Sequence, residues 1–192
     1  MKKILVINGH PNMDSLCTQL AKNYVNAATD AGLDAKLINL AELKFDPILH
    51  KGYKAIQNLE PDLIKSQTQI KWAEHIVFVF PMWWGTVPAL LKGFIDRVFL
   101  PGFAFKYHVN DPFWDKLLKG RSGRIIFTTD APWWYNWLFL GDPAIRMMKK
   151  AVMEFSGIKP VTVTQFDTVK TRKPEAIQMF LQKAAELGRA GL

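Results

Sequence analysis

Near-continuous apolar runs of five or six residues alternate along this chain with stretches whose apolar side chains return every three or four positions. The runs at 3–8 (KILVIN) and 75–80 (HIVFVF) show no polar alternation, as expected of parallel strands buried on both faces. Further strands are predicted at 34–40 (DAKLINL), 123–129 (GRIIFTT) and 160–166 (PVTVTQF). Between the first two strands, Leu16, Leu20, Tyr24, Ala27 and Ala31 keep helical spacing, and Gly32 is the expected stop. Residues 61–72 open on a proline and read as a second helix. A third carries Leu90, Leu91, Phe94, Ile95 and Val98, with Thr86 as its expected cap and Pro88 in its first turn. Helices near 142–156 and 174–187 complete the series. No repeat or linker interrupts it, so residues 1–192 are read as one domain. Five strands separated by helices imply an α/β fold, a parallel sheet with helices on both faces. Such sheets bind ligands outside the carboxyl ends of their strands, which directs attention to the residues after 8, 80 and 129.

Each of those three ends has an unusual composition. The first (NGHPNMDSLCTQLA, 8–21) is a loop with Gly9 and Pro11 that enters a helix at Asp14 and Ser15. Free N–H groups and the positive end of the helix dipole suit a phosphate there, with His10, Ser15 and Thr18 as further donors. Neither a G-x-G-x-x-G run nor a Walker lysine is present. At the second end Pro81 is expected to close the strand, and Met82, Trp83, Trp84, Gly85 and Thr86 form the loop that turns into the next helix. Two neighbouring indoles at a strand tip do not both fit inward, so at least one is expected to line the crevice, where a flat aromatic ligand would pack. The third end places Thr128, Thr129 and Asp130 before Trp133, Trp134, Tyr135, Trp137, Leu138 and Phe139. That segment is too apolar for an ordinary surface loop. It is expected to wall the crevice and meet a second subunit, with purely intrachain packing and membrane contact as alternatives.

Charge and cysteine usage narrow the class. The net charge is +8, but basic residues are interleaved with acidic ones. This reads as a solvated basic surface that attracts anionic small molecules, and no nucleic-acid recognition module is visible. Cys17 is the single cysteine, which suits a reducing, cytoplasmic setting. The opening apolar run stops after five residues, too short for a signal peptide, and no stretch reaches the ~20 apolar residues of a membrane span.

Three motifs carry a resemblance: GHPNMDS after the first strand, FDPI at 45–48, and above all FPMWWGTVPALLKGFIDRVFLPGFAFKY at 80–107, followed by the threonine pair at 128–129. With these the chain resembles the flavodoxin-fold NAD(P)H:quinone oxidoreductases, the family of the mammalian quinone reductases and of the ancillary flavoproteins of bacterial potassium-efflux systems. The similarity covers most of residues 3–166. It implies a flavodoxin-like sheet of order 2-1-3-4-5, a homodimer, and a flavin at the strand ends, FAD in preference to FMN. By the same resemblance His10, Ser15, Leu16 and Cys17 surround the flavin phosphate, with Thr18 in place of a frequent asparagine. Pro81, Met82, Trp83, Trp84 and Gly85 hold the ring, with Thr128, Thr129 and Asp130 at its polar edge. Phe105 and Tyr107, contributed across the dimer, line the substrate pocket together with Trp133 and Trp134.

The implied reaction is a ping-pong exchange: NAD(P)H reduces the flavin, and a quinone or similar flat acceptor then takes both electrons. Thr129 and Tyr135 are the expected catalytic residues. The family often has two glycines where Asp130 and Ala131 stand. Some members use a histidine beyond Tyr135, but none occurs here after His108. The competing reading is a flavin-loaded regulatory subunit that docks on a membrane transporter. A one-electron carrier fits poorly, since such carriers present acidic faces.

Overall fold

A computed structural model describes all residues, 1–192. Five parallel strands form one sheet: β1 (Lys3–Asn8), β2 (Asp34–Asn39), β3 (His75–Pro81), β6 (Ser122–Thr128) and β7 (Val161–Phe166). Their order is β2-β1-β3-β6-β7, which is 2-1-3-4-5 when only the sheet's own strands are counted. Two short strands that the sequence pattern did not show, β4 (Phe105–Tyr107) and β5 (Trp114–Lys116), pair antiparallel beside it.

The continuous apolar runs are explained by burial on two faces. Along β1, Leu5 and Ile7 join the larger core with α2 (Pro61–Trp72) and α3 (Ala89–Val98). Ile4 and Val6 turn to the smaller core with α1 (Leu16–Asp30) and α6 (Pro174–Arg189). β3 divides in the same way, Ile76, Phe78 and Phe80 to one side and Val77 and Val79 to the other. This is the two-residue period of a strand with both sides dry. Helix α1 stops where expected, Gly32 taking φ +80.

Pro81 closes β3 as expected, standing opposite Thr128, and the next residue's N–H, that of Met82, still donates to the Thr128 carbonyl at 2.7 Å. One expectation needs correction. Thr86 does not cap α3: it closes the turn with Trp83 through two backbone hydrogen bonds of 2.9 and 3.0 Å, and α3 begins three residues later, with Pro88 in the N-cap position and no side-chain cap. The aromatic stretch after Asp130 is helical. An α turn at Trp133–Tyr135 runs on as a π-helical stretch Asn136–Leu140 (together α4). The predicted helix near 142–156 follows as α5, Pro143–Ile145 continued by a π-helical stretch Arg146–Glu154.

At the opposite end of β3, His75 is buried, with Nδ1 2.7 Å from Ser122 Oγ and no partner for Nε2. Burial, reinforced by the charges of Lys2 and Arg124, lowers its pKa from 6.5 to about 4. The unfolded chain therefore takes up this proton first. Stability is expected to fall as the pH drops from about 6.5 to about 4, by on the order of 3 kcal/mol for this group. Urea titrations across that window should show the loss, and His75→Gln should flatten it. Equal slopes in both proteins would assign the acid lability elsewhere.

Candidate functional site

The carboxyl ends of β1, β3 and β6 enclose a cleft of about 210 Å³. Nine residues singled out in the sequence line it: His10, Leu16, Cys17, Pro81, Met82, Trp83, Thr128, Thr129 and Asp130. The tenth, Val169, had no signal in the sequence. It comes from the turn after β7, whose N–H donates to the Thr129 carbonyl at 3.2 Å.

The β1–α1 loop is held from beneath by side chains. Asn8, fully buried at the tip of β1, donates to Thr18 Oγ1 (2.9 Å) and Asn39 Oδ1 (3.2 Å) and accepts the His10 N–H (3.2 Å). Ser15 caps α1 through the Thr18 N–H at 3.2 Å, and its hydroxyl lies 3.0 Å from the Thr18 hydroxyl. Thr18 is almost wholly buried and also donates to the Asn12 carbonyl at 3.3 Å. Ser15 and Thr18 thus build the loop from below instead of walling the cleft, and Asn8 is the organising residue that the motif reading passed over. The N–H groups of Leu16 and Cys17 make no hydrogen bond within the chain, leaving two of the open donors of a helix N-terminus at the cleft.

The ionisation of this end is settled by burial and hydrogen bonding. Burial lowers the pKa of His10, and its Nδ1 accepts the Asn12 N–H at 2.9 Å. The ring is therefore neutral, with its proton on Nε2 as a further donor. Burial pushes the Cys17 thiol up to about 12 against the opposing contact with Thr128 Oγ1 at 3.4 Å. Cys17 is an inert apolar wall whose useful group is its backbone N–H.

The double tryptophan forms a tight hairpin turn. Trp84 and Gly85, its two central residues, both have positive φ (51 and 73), the conformation of a type I′ turn. A bulky residue at positive φ is uncommon, and the turn sends the two indoles apart. Trp83 lies along the cleft with its ring edge-on to His10, centroids 5.4 Å apart. Trp84 is fully exposed and does not line it. Thr129 Oγ1 accepts the Ala131 N–H at 3.2 Å, so its own proton is free to be donated.

Other predicted residues lie elsewhere. Trp133, Trp134 and Tyr135 stand on the exposed side of α4, and Tyr135 stacks on Phe139 (centroids 5.3 Å) without lining the cleft. Phe105 and Tyr107 line a separate, largely apolar cavity of about 450 Å³ with Phe99, Met147 and Phe155. The two cavities share no residue.

Known proteins share this architecture. A human ribosyldihydronicotinamide dehydrogenase [quinone] is 34% identical over 110 residues, 57% of this chain and 46% of its own length. The chain spans about half the length of the curated relatives it matches. A solved structure from Streptococcus mutans superposes with a TM-score of 0.83 at 29% identity, covering 98% of this chain and 99% of that one. An FMN-dependent NADH-azoreductase from Bacillus anthracis, solved in complex with FMN, gives 0.75 at 21% identity over 99% of both chains, a likeness of fold. A strand order that turns back at β1 and β3, a cleft at that point, and a family model matched over residues 2–187 agree: the chain belongs to the family described by the flavodoxin-like fold.

Proposed function

We propose that this chain is a flavin-dependent NAD(P)H oxidoreductase that passes two electrons to a quinone or similar flat acceptor, donor and acceptor using the cleft in turn. The observation that carries this reading is the donor-rich cleft at the strand ends, walled by an indole on one side and hydroxyls on the other. The Leu16 and Cys17 N–H groups and neutral His10 Nε2–H suit a phosphate. The Trp83 ring and the Pro81–Met82 backbone suit the face and edge of a flat ring system. Bound there, the flavin supplies the centre that accepts and returns a hydride. The free hydroxyl proton of Thr129 is available to negative charge that builds at that edge.

Support for FMN over FAD comes from the cleft itself. It has one phosphate cradle, at the N-terminus of α1. The printed cofactor of the Bacillus anthracis protein of the same fold agrees. A homodimer is supported by the separation of Phe105 and Tyr107 from the cleft. In one chain they line another cavity, and a second copy would be needed to bring that aromatic wall to the ring.

The purified protein is expected to be yellow. Its absorption should bleach on anaerobic addition of NADH or NADPH and return with a soluble quinone, and denaturation should release FMN. A colourless protein that takes up neither FMN nor FAD and oxidises neither nucleotide would overturn the reading.

A further inference from the structure

One residue of the cleft works against the rest. Of the ten that line it, only His10, Cys17 and Asp130 carry ionisable side chains. His10 is neutral and Cys17 keeps its proton, both through burial. The Asp130 carboxylate is therefore the one formal charge that this chain places on the cleft wall. It is negative, although the free donors there, the Leu16 and Cys17 N–H, His10 Nε2–H and the Thr129 hydroxyl, all favour an anion.

The charge is held in place and left unpaired. Asp130 Oδ1 accepts the Lys170 N–H at 2.9 Å, which ties the end of β6 to the turn after β7. No lysine, arginine or histidine forms an ion pair with it. Arg172, on the same turn, is taken by Asp167 at 2.6 Å. Strand order then fixes which end of a bound flavin meets this carboxylate. The open N–H groups stand at the tip of β1 and Asp130 follows β6, with β3 and its Trp83 between them. Neighbouring strands lie about 4.8 Å apart, so the two ends of the cleft are separated by roughly 10 Å. A phosphate held at α1 leaves the ring to lie past Trp83, toward Thr129 and Asp130.

We propose that Asp130 holds the reduction potential of the bound flavin low, so that the reduced ring gives up its hydride readily to the acceptor; this rests on the flavin reading above. A hydride from NAD(P)H brings two electrons and one proton and leaves NAD(P)⁺. The ring then carries one added negative charge. The Thr129 hydroxyl favours that charge, and the carboxylate one residue further on opposes it. Passing the hydride to a quinone, which takes a second proton from water to become the hydroquinone, removes the charge and relieves the repulsion. A unit charge within roughly 10 Å, at the effective dielectric of about 20 near a protein surface, is worth about tenfold in such an equilibrium. A second copy closing over the cleft would exclude water and strengthen this field. It would present Phe105 and Tyr107, whose rings pack 5.0 Å apart on one side of β4, while Lys106 between them points to the other side.

The test is a potential, not a turnover. The full chain, loaded with FMN, is equilibrated anaerobically with a reference dye of known potential. Asp130→Asn keeps an acceptor for the Lys170 N–H and loses the charge. It should move the flavin–dye equilibrium about tenfold toward reduced flavin, about 30 mV for a two-electron couple. Asp130→Ala, which has no amide to donate to the ring, should move it the same way. Asp130→Glu keeps the charge and should stay within about threefold of the unaltered chain, roughly 15 mV. Equal potentials in the flavin-loaded Asn variant and the unaltered chain would overturn the proposal and leave the flavin reading standing. So would a Glu variant that shifts as far as the Asn variant, because altered geometry and not charge would then be the cause. An unaltered chain that takes up neither FMN nor FAD would overturn both.

Discussion

Replacing Arg97 by alanine should destabilise the protein by about 3 kcal/mol, the low end of the 3–5 kcal/mol typical when one member of a buried ion pair is removed. Arg97 is completely buried on α3. Its guanidinium donates to Glu60 Oε2 at 2.8 Å, to the Asn58 carbonyl at 2.9 Å and to the Asp46 carbonyl. Glu60 in turn accepts the Asp46 N–H at 3.0 Å. The clamp binds the FDPI segment to α3, where Pro47 packs so closely on Gly93 that a Cβ there would lie 2.4 Å from the proline ring. In the variant two carbonyls and a carboxylate lose their partner. Glu60 keeps 28% side-chain exposure, so water recovers part of the loss and the low end applies. For a chain of this size that is a fall in melting temperature of roughly 10 °C. Arg97→Lys should recover only part, since one ammonium cannot span three acceptors in a fixed fork. A loss below about 1 kcal/mol in urea titration would show that the clamp is not a stabilising element.

Asn8→Ala should weaken flavin binding at least tenfold and cost about 2–4 kcal/mol of stability, at about 1–3 kcal/mol for each buried polar group left unpaired. The side chain ties three elements at one point: the β1–α1 loop through the His10 N–H, α1 through Thr18, and β2 through Asn39. Its removal frees the loop whose Leu16 and Cys17 N–H groups form the phosphate cradle, and a cradle displaced by an ångström no longer converges on its ligand. Asn8 does not itself line the cleft, so it acts by positioning. Two readouts separate this from general instability. Excess FMN should restore the visible spectrum of the folded variant, and Asn8→Asp, which keeps the acceptor for His10 but loses both donated bonds, should fall between the two. A flavin affinity equal to that of the unaltered chain would remove Asn8 from the site.

The sheet was legible because burial on two faces leaves a local signature, apolar side chains at successive positions, that no distant contact has to supply. All five sheet strands lie where that signature places them, to within a residue. The location of the cleft followed from the same alternation, because a parallel sheet places its ligand crevice at the carboxyl ends of its strands. The short pair β4–β5 and the helical form of 133–140 left no such mark, the first because three residues are too few for a period, the second because nearly every residue is apolar.

What each site residue does was decided only in three dimensions. Trp83 and Trp84 are identical and adjacent in sequence, yet a turn with two positive φ values sends one to the cleft and the other to solvent. Thr18 and Thr129 offer the same hydroxyl, but one is consumed beneath the loop by Asn8, Ser15 and Asn12 while the other keeps a free proton at the cleft. Val169 and Asn8 entered the site through contacts spanning 40 and 31 residues of chain, with Thr129 and Asn39 respectively. Strand position is a property of neighbours along the chain, and so the sequence alone determined it. The direction and the free hydrogen-bonding capacity of a side chain depend on which distant groups have already claimed it, and only the folded arrangement decides that.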